Sequence, residues 1–191
     1  MENDRNETRI GKISNLLSQS LIEFEALPKT FKIPQANDII KVRDFPVAVS
    51  FGYDDSRKIA RYFEFDKRQS SYYRDAAQGL GFVELDHRNK YKLTSLGEWY
   101  SKLNTKERNH VLVRRLAKHP IMAEILATLN KGQEVTMSDI EQIISKHSSL
   151  GGSTIPRRAS TILSWYRWIE MEIGLISVCN GVISPNVQTR L

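Results

Sequence analysis

Apolar residues recur along most of the chain at spacings that alternate between helical and extended. Ile10, Ile13, Leu16, Leu17, Leu21 and Ile22 predict a helix to about Ala26, with Pro28 as a break. Asn37-Asp38 is a cap signal for a helix carrying Ile39, Ile40 and Val42, with an interruption expected at Pro46. The run Val47–Phe51 suits a short helix or a strand, and residues 52–55 read as a turn. Residues 56–65 follow as a helix with Ile59, Ala60 and Phe63 inward. Residues 68–80 form the next helix. Tyr73, Ala76, Ala77 and Leu80 fall on one side of it, and Ser71, Arg74, Asp75 and Gln78 on the other, with Arg68 at the flank. Phe82–Leu85 and Tyr91–Thr94 then predict two strands around the turn Asp86–Lys90. The order helix, turn, helix, hairpin defines a winged-helix expectation.

The order of parts then repeats. Thr94 or Ser95 caps a helix through Trp99, Tyr100 and Leu103. Thr105 is expected to cap another, with Val111, Leu112 and Leu116 inward and Arg114, Arg115 and Lys118 on its exposed remainder. His119-Pro120 separates it from the apolar-faced helix 121–129. A capped helix over 136–147, a small-residue loop over 148–153 and a long helix over 154–173 come next. Ala159, Ile162, Tyr166, Ile169 and Ile173 form the apolar stripe of that long helix. Opposite them project Arg157, Ser160, Thr161, Ser164 and Trp168, with Arg167 beside. Gly174 ends the helix, and Asn180-Gly181 between two short apolar runs signals a second hairpin. The expected fold class is mainly α with small β-hairpin wings, in tandem winged-helix units. The expected domains are an N-terminal arm over 1–33, a first unit over 34–104 and a second over 105–191.

Charge adds a partner to this picture. The 191 residues carry 28 Lys and Arg against 22 Asp and Glu, a formal net charge of +6, which favours a polyanionic partner. No apolar run approaches eighteen residues and the start of the chain is polar, so a cytoplasmic protein without a membrane partner is expected. The single cysteine, Cys179, excludes an intrachain disulfide and reads as a buried structural thiol. No metal-ligand spacing, phosphate loop or cofactor signature is present, so no cofactor is expected. Asp54 with Glu64-Phe65-Asp66-Lys67 approaches a metal-dependent nuclease pattern, but its spacing is off by one. The four histidines have no nucleophile nearby in sequence, so the chain offers no catalytic motif of its own.

Double-stranded DNA is the expected partner. In the first unit Arg68, Ser71, Arg74 and Gln78 are the candidate base readers, Lys67, Arg88 and Lys90 the candidate phosphate contacts, and Gln69 a further candidate DNA contact. In the second, Arg157, Ser160, Thr161, Ser164 and Arg167 take the reading role, with Arg158 as a further candidate DNA contact. Asp75 would accept from cytosine N4 or orient Arg74, and an exposed Trp168 would mark a partner contact. A protein-interaction module is the competing class, because polar faces opposite a core stripe are also what water solvates.

The run Phe65–Glu84, with its Arg68-Gln69-Ser70-Ser71-Tyr72-Tyr73 and Ala76-Ala77-Gln78-Gly79-Leu80-Gly81, continues into Leu93-Thr94-Ser95-Leu96-Gly97. It resembles the tandem winged-helix recognition regions of type II, including type IIS, restriction endonucleases. The likeness spans about residues 34–184 and is looser in the second unit, where Arg157-Arg158-Ala159-Ser160-Thr161 is its best part. The resemblance implies sequence-specific duplex recognition within a restriction–modification system, with cleavage supplied by a separate nuclease domain or subunit. A transcriptional regulator of the same fold is the alternative.

Overall fold

The computed structural model describes Leu27 and residues 33–186; the helix expected over 10–26 lies outside them. The described residues are mainly helical with two small antiparallel hairpins. They divide into two compact units, one ending at Arg115 and the other beginning at Leu116.

In the first unit α1 runs over Ile39–Ser50, and Asp38 caps it by accepting from the Ile40 and Lys41 amides. The expected interruption at Pro46 does not occur, and Val47–Ser50 is helical. A mid-helix proline costs about 3 kcal/mol. Here that cost is offset by burial of the surrounding turn, Phe45, Pro46, Ala48 and Val49. Helix α2 covers Ser56–Tyr62, capped by Asp55, and stops short of the expected residue 65. Phe63 and Phe65 join a run of rings instead, with centroids 6.4 Å between Phe45 and Phe63, 5.7 Å between Phe63 and Phe65 and 5.0 Å between Phe65 and Tyr73. Asp66 caps α3, Lys67–Gly79.

Strands β1, Val83–Leu85, and β2, Tyr91–Leu93, pair with Val83 opposite Leu93 and Leu85 opposite Tyr91. Thr94 caps α4, Ser95–Ser101, through its hydroxyl oxygen and donates that hydroxyl to the Gly81 carbonyl at 2.6 Å. Gly97 faces the Phe82 carbonyl so closely that a Cβ there would sit 1.9 Å from the oxygen. Helix α5 is Thr105–Ala117. Asn104, not Thr105, caps it, trading hydrogen bonds with Glu107 in both directions. Arg115 does not line an exposed face. It is 1% exposed, and its Nε donates to the Leu80 carbonyl at 2.9 Å.

The second unit holds α6, Pro120–Asn130, α7, Met137–His147, and α8, Thr154–Ile173. Thr136 and Asp139 form a reciprocal capping box at the start of α7. The apolar stripe of α8 is buried through Ile169, and the Tyr166 hydroxyl donates to the Met122 carbonyl at 3.1 Å. Burial pushes that phenol well above its ordinary value. Strands β3, Ile176–Cys179, and β4, Val182–Pro185, are joined by Asn180 and Gly181, both at positive φ. Val135, just ahead of α7, exchanges two backbone hydrogen bonds of 2.8 Å with Ile183. Cys179 is exposed rather than buried, because it ends β3 at the turn, where no element covers it.

Candidate nucleic-acid interface

Helix α3 presents the face that its sequence spacing predicts. Tyr73, Ala76 and Ala77 are buried, while Lys67, Arg68, Gln69, Asp75 and Gln78 are exposed. Ser71 is half-buried, and its hydroxyl donates to the Arg68 carbonyl at 2.8 Å, which leaves its oxygen as an acceptor. Arg74 is half-buried and pairs with Asp75, its Nε 2.9 Å from Oδ1. Between α3 and the hairpin lies an open groove of about 530 Å³, lined by Lys67, Arg68, Ser70, Ser71, Arg74, Asn89, Tyr91 and the start of α2. Ser70 is fully buried and donates to the Lys67 carbonyl, so the floor of this groove is fixed. Tyr91 is buried beside it, and burial raises its phenol above the ordinary value.

The hairpin turn is built by Asp86, whose Oδ1 accepts from the Arg88 and Lys90 amides, with Asn89 at φ 57°. Those N–H groups hold the Asp86 carboxyl below its ordinary value. Arg88 is exposed at the tip. Lys90, expected as a phosphate contact, has its ammonium on Asp55 at 2.7 Å and on Asp54 at 3.5 Å. Lys58 occupies Asp54 as well, at 2.7 Å. The hydrogen bond from Lys90, with the Lys58 amide second, brings the Asp55 carboxyl down to about 2, and Asp55 in turn raises Lys90. Lys90 therefore ties the hairpin to α2, its charge already matched. Asp54 and Asp66, two acids of the near-nuclease pattern, serve as an ion-pair partner and a helix cap.

On α8, Arg157, Ser160 and Arg167 are exposed, and Arg158 and Ser164 half-buried. Two expectations are corrected here. Thr161 is fully buried and its hydroxyl donates to the Arg157 carbonyl at 3.2 Å, so it has no access to a base. Trp168 is 3% exposed, inside the unit rather than on its polar face. Both corrections have one cause: α8 buries Ala159, Thr161, Ile162, Leu163, Trp165, Tyr166, Trp168 and Ile169, an arc much wider than one stripe. Ser160 donates its hydroxyl to the Pro156 carbonyl.

Two further exposed cations lie on α2, outside the residues expected as DNA contacts. Arg57 and Arg61 are exposed on α2 at i, i+4, opposite the buried Ile59, a spacing legible in the sequence. Arg115 anchors the C-terminal end of α3 through Leu80, and its only sequence clue is its i, i+4 relation to Val111. Among the described residues no three His, Cys, Asp or Glu side chains gather as a metal site, and no helix is long and apolar enough to cross a membrane.

These features define a mainly helical protein in which helix, turn, helix and hairpin occur twice, each time with a cation-bearing face on the last helix. Residues 53–173, from the turn ahead of α2 to the end of α8, match the family described as "Domain of unknown function (DUF7226)", and the chain belongs to that family. No curated protein and no solved structure matches it.

Proposed function

We propose that both units are winged helices and that the chain binds duplex DNA sequence-specifically. In this reading α3 and α8 approach the major groove, while the hairpins and helix ends meet phosphates. One repeated observation carries it. In each unit the residue just ahead of the middle helix bonds the returning strand of the hairpin. Tyr91 N donates to Asp54 O at 2.7 Å in the first, and Val135 and Ile183 exchange bonds in the second. With that segment read as a short third strand, the connection supports the helix, strand, helix, helix, hairpin order of a winged helix. The helix before each hairpin then turns cations and amides outward: Lys67, Arg68, Gln69 and Gln78 on α3, and Arg157 and Arg167 on α8.

The resemblance of residues 65–97 supports placing this activity in target recognition for a cytoplasmic restriction–modification system, with cleavage supplied by a nuclease domain or subunit. A transcriptional regulator would use the same contacts without one.

Selection from a randomised duplex library, followed by titration of the enriched and a scrambled duplex at two salt concentrations, tests the reading. A consensus is expected, with affinity falling on a log-log slope of about −0.9 per phosphate contact. Lys67→Ala and Arg88→Ala should each flatten that slope by about one contact. No enrichment, and no duplex binding at low salt, would sink it.

A further inference from the structure

The two candidate reading helices hold their arginines differently. On α3 the Arg74 side chain is only 27% exposed, and both its Nε and an Nη lie on the same Asp75 oxygen, at 2.9 and 2.5 Å. A guanidinium anchored along one edge has lost rotamer freedom before any ligand arrives. Its remaining N–H groups form a fork of fixed direction on the wall of the groove beside α3. On α8 neither Arg157 nor Arg167 has an ion pair among the described residues, and both are exposed. The hydroxyl protons of Ser160 and Thr161 are spent on their own helix. This helix therefore offers long, untethered cations.

Those two arrangements suit different parts of a duplex. A phosphate presents the same oxygens at every step, so a mobile cation finds one whatever the sequence. A fixed fork facing base edges rewards one base, guanine with its O6 and N7 acceptors, over the other three. The second Asp75 oxygen, on a carboxylate that is 48% exposed, can accept from the N4 amino group of the paired cytosine.

Resting on the duplex-binding reading above, we propose that Arg74 and Asp75 are a specificity-determining pair that selects a G·C base pair, while α8 grips the sugar–phosphate backbone without reading it. Arg74 makes the base contact. Asp75 sets its direction and accepts from the amino group of the cytosine paired with that guanine.

The test repeats the library selection with the full chain and three variants: Arg74→Lys, which keeps the charge but loses the fork, Asp75→Asn, and Arg157→Ala combined with Arg167→Ala. The native consensus should contain a G·C pair. At that position both α3 substitutions should lower the ratio of specific to scrambled affinity about tenfold. The α8 double variant should weaken enriched and scrambled duplexes by one common factor and flatten the salt slope by about 1.8, two contacts' worth. Its consensus should match the native one. A G·C preference that survives both Arg74→Lys and Asp75→Asn, or a consensus rewritten by the α8 double variant, overturns this division of labour and leaves DNA binding standing. Absence of duplex binding by the native chain overturns the underlying reading and this inference with it.

Discussion

In the first unit the hairpin is held to the residues ahead of α2 by one backbone hydrogen bond, Tyr91 N to Asp54 O, and by the Lys90 ammonium on Asp55 and Asp54. In the second, Val135 and Ile183 exchange two backbone bonds, and Ser184 donates to Glu134 at 2.9 Å. The same connection is thus made largely from charge in one unit and largely from peptide groups in the other. Ion pairs at a surface respond to salt and acid, and a buried reciprocal pair of amide bonds does not. The junction between helix and hairpin differs in the same spirit. In the first unit it is packed shut, with Gly97 against Phe82, Thr94 on Gly81 and Arg115 on Leu80. In the second it is more open: α8 ends in a left-handed Gly174 whose carbonyl accepts from Asn186 Nδ2 at 3.2 Å, and among the described residues nothing beyond its own helix and chain neighbours lies within 4 Å of where its Cβ would lie.

The sharpest way to break this contrast is a pair of glycine substitutions. Gly97→Ala forces a methyl group onto a backbone carbonyl and should cost the first unit about 3 kcal/mol. Gly174→Ala meets no neighbour and should cost the second about 1 kcal/mol, the strain of a left-handed residue. Amide hydrogen exchange assigns each loss to its unit, and equal costs would remove the distinction between a shut and an open junction. Arg115→Met comes next. It keeps bulk but leaves the Leu80 carbonyl without its donor, and about 2 kcal/mol is expected from urea unfolding. A loss below about 0.5 kcal/mol would show that the guanidinium is not what holds the end of α3.

The smallest effect is that of acid. The folded Asp55 carboxyl sits at about 2 against an ordinary 3.8, so its pairing with Lys90 stabilises the hairpin above about pH 4. That contribution is lost as the pH falls toward 2. Exchange protection of the Val83–Leu93 hairpin should therefore fail at a higher pH than that of Ile176–Pro185. Glu124 in the second unit is also held below 4.5, by His147 and then Lys146, but that pair ties α6 to α7 and leaves the hairpin alone. Simultaneous loss in both hairpins would argue against charge as the difference.

The legible parts of this molecule are those set by neighbours in sequence. Asn180-Gly181 announced its turn because few residue pairs accept positive φ at both positions. The face of α3 followed from a 3.6-residue repeat, and Thr136 with Asp139 from capping chemistry. What escaped depended on partners far along the chain. Lys90 lies 35 residues from Asp55, and Arg115 lies 35 from Leu80. Neither distance leaves a local trace. Thr161 and Trp168 escaped for another reason: a periodic projection locates the centre of a buried arc but not its width, and the arc of α8 is wide. Cys179 misled because an apolar strand suggests cover, whereas a strand end beside a turn has none.

Arg115 also bears on how such a protein can be inherited in pieces. The contiguous stretch that carries helix, turn, helix and hairpin is complete by Leu93, and a break after Asn104 would look harmless from its sequence alone. A polypeptide ending there would lack the buried side chains of Leu112 and Arg115, and the carbonyl that closes α3 would lose its donor. Recombination or gene fusion that exchanges the first unit between such chains therefore keeps its buried contacts only when its crossover falls beyond α5. The exchangeable cassette is longer than the motif it carries.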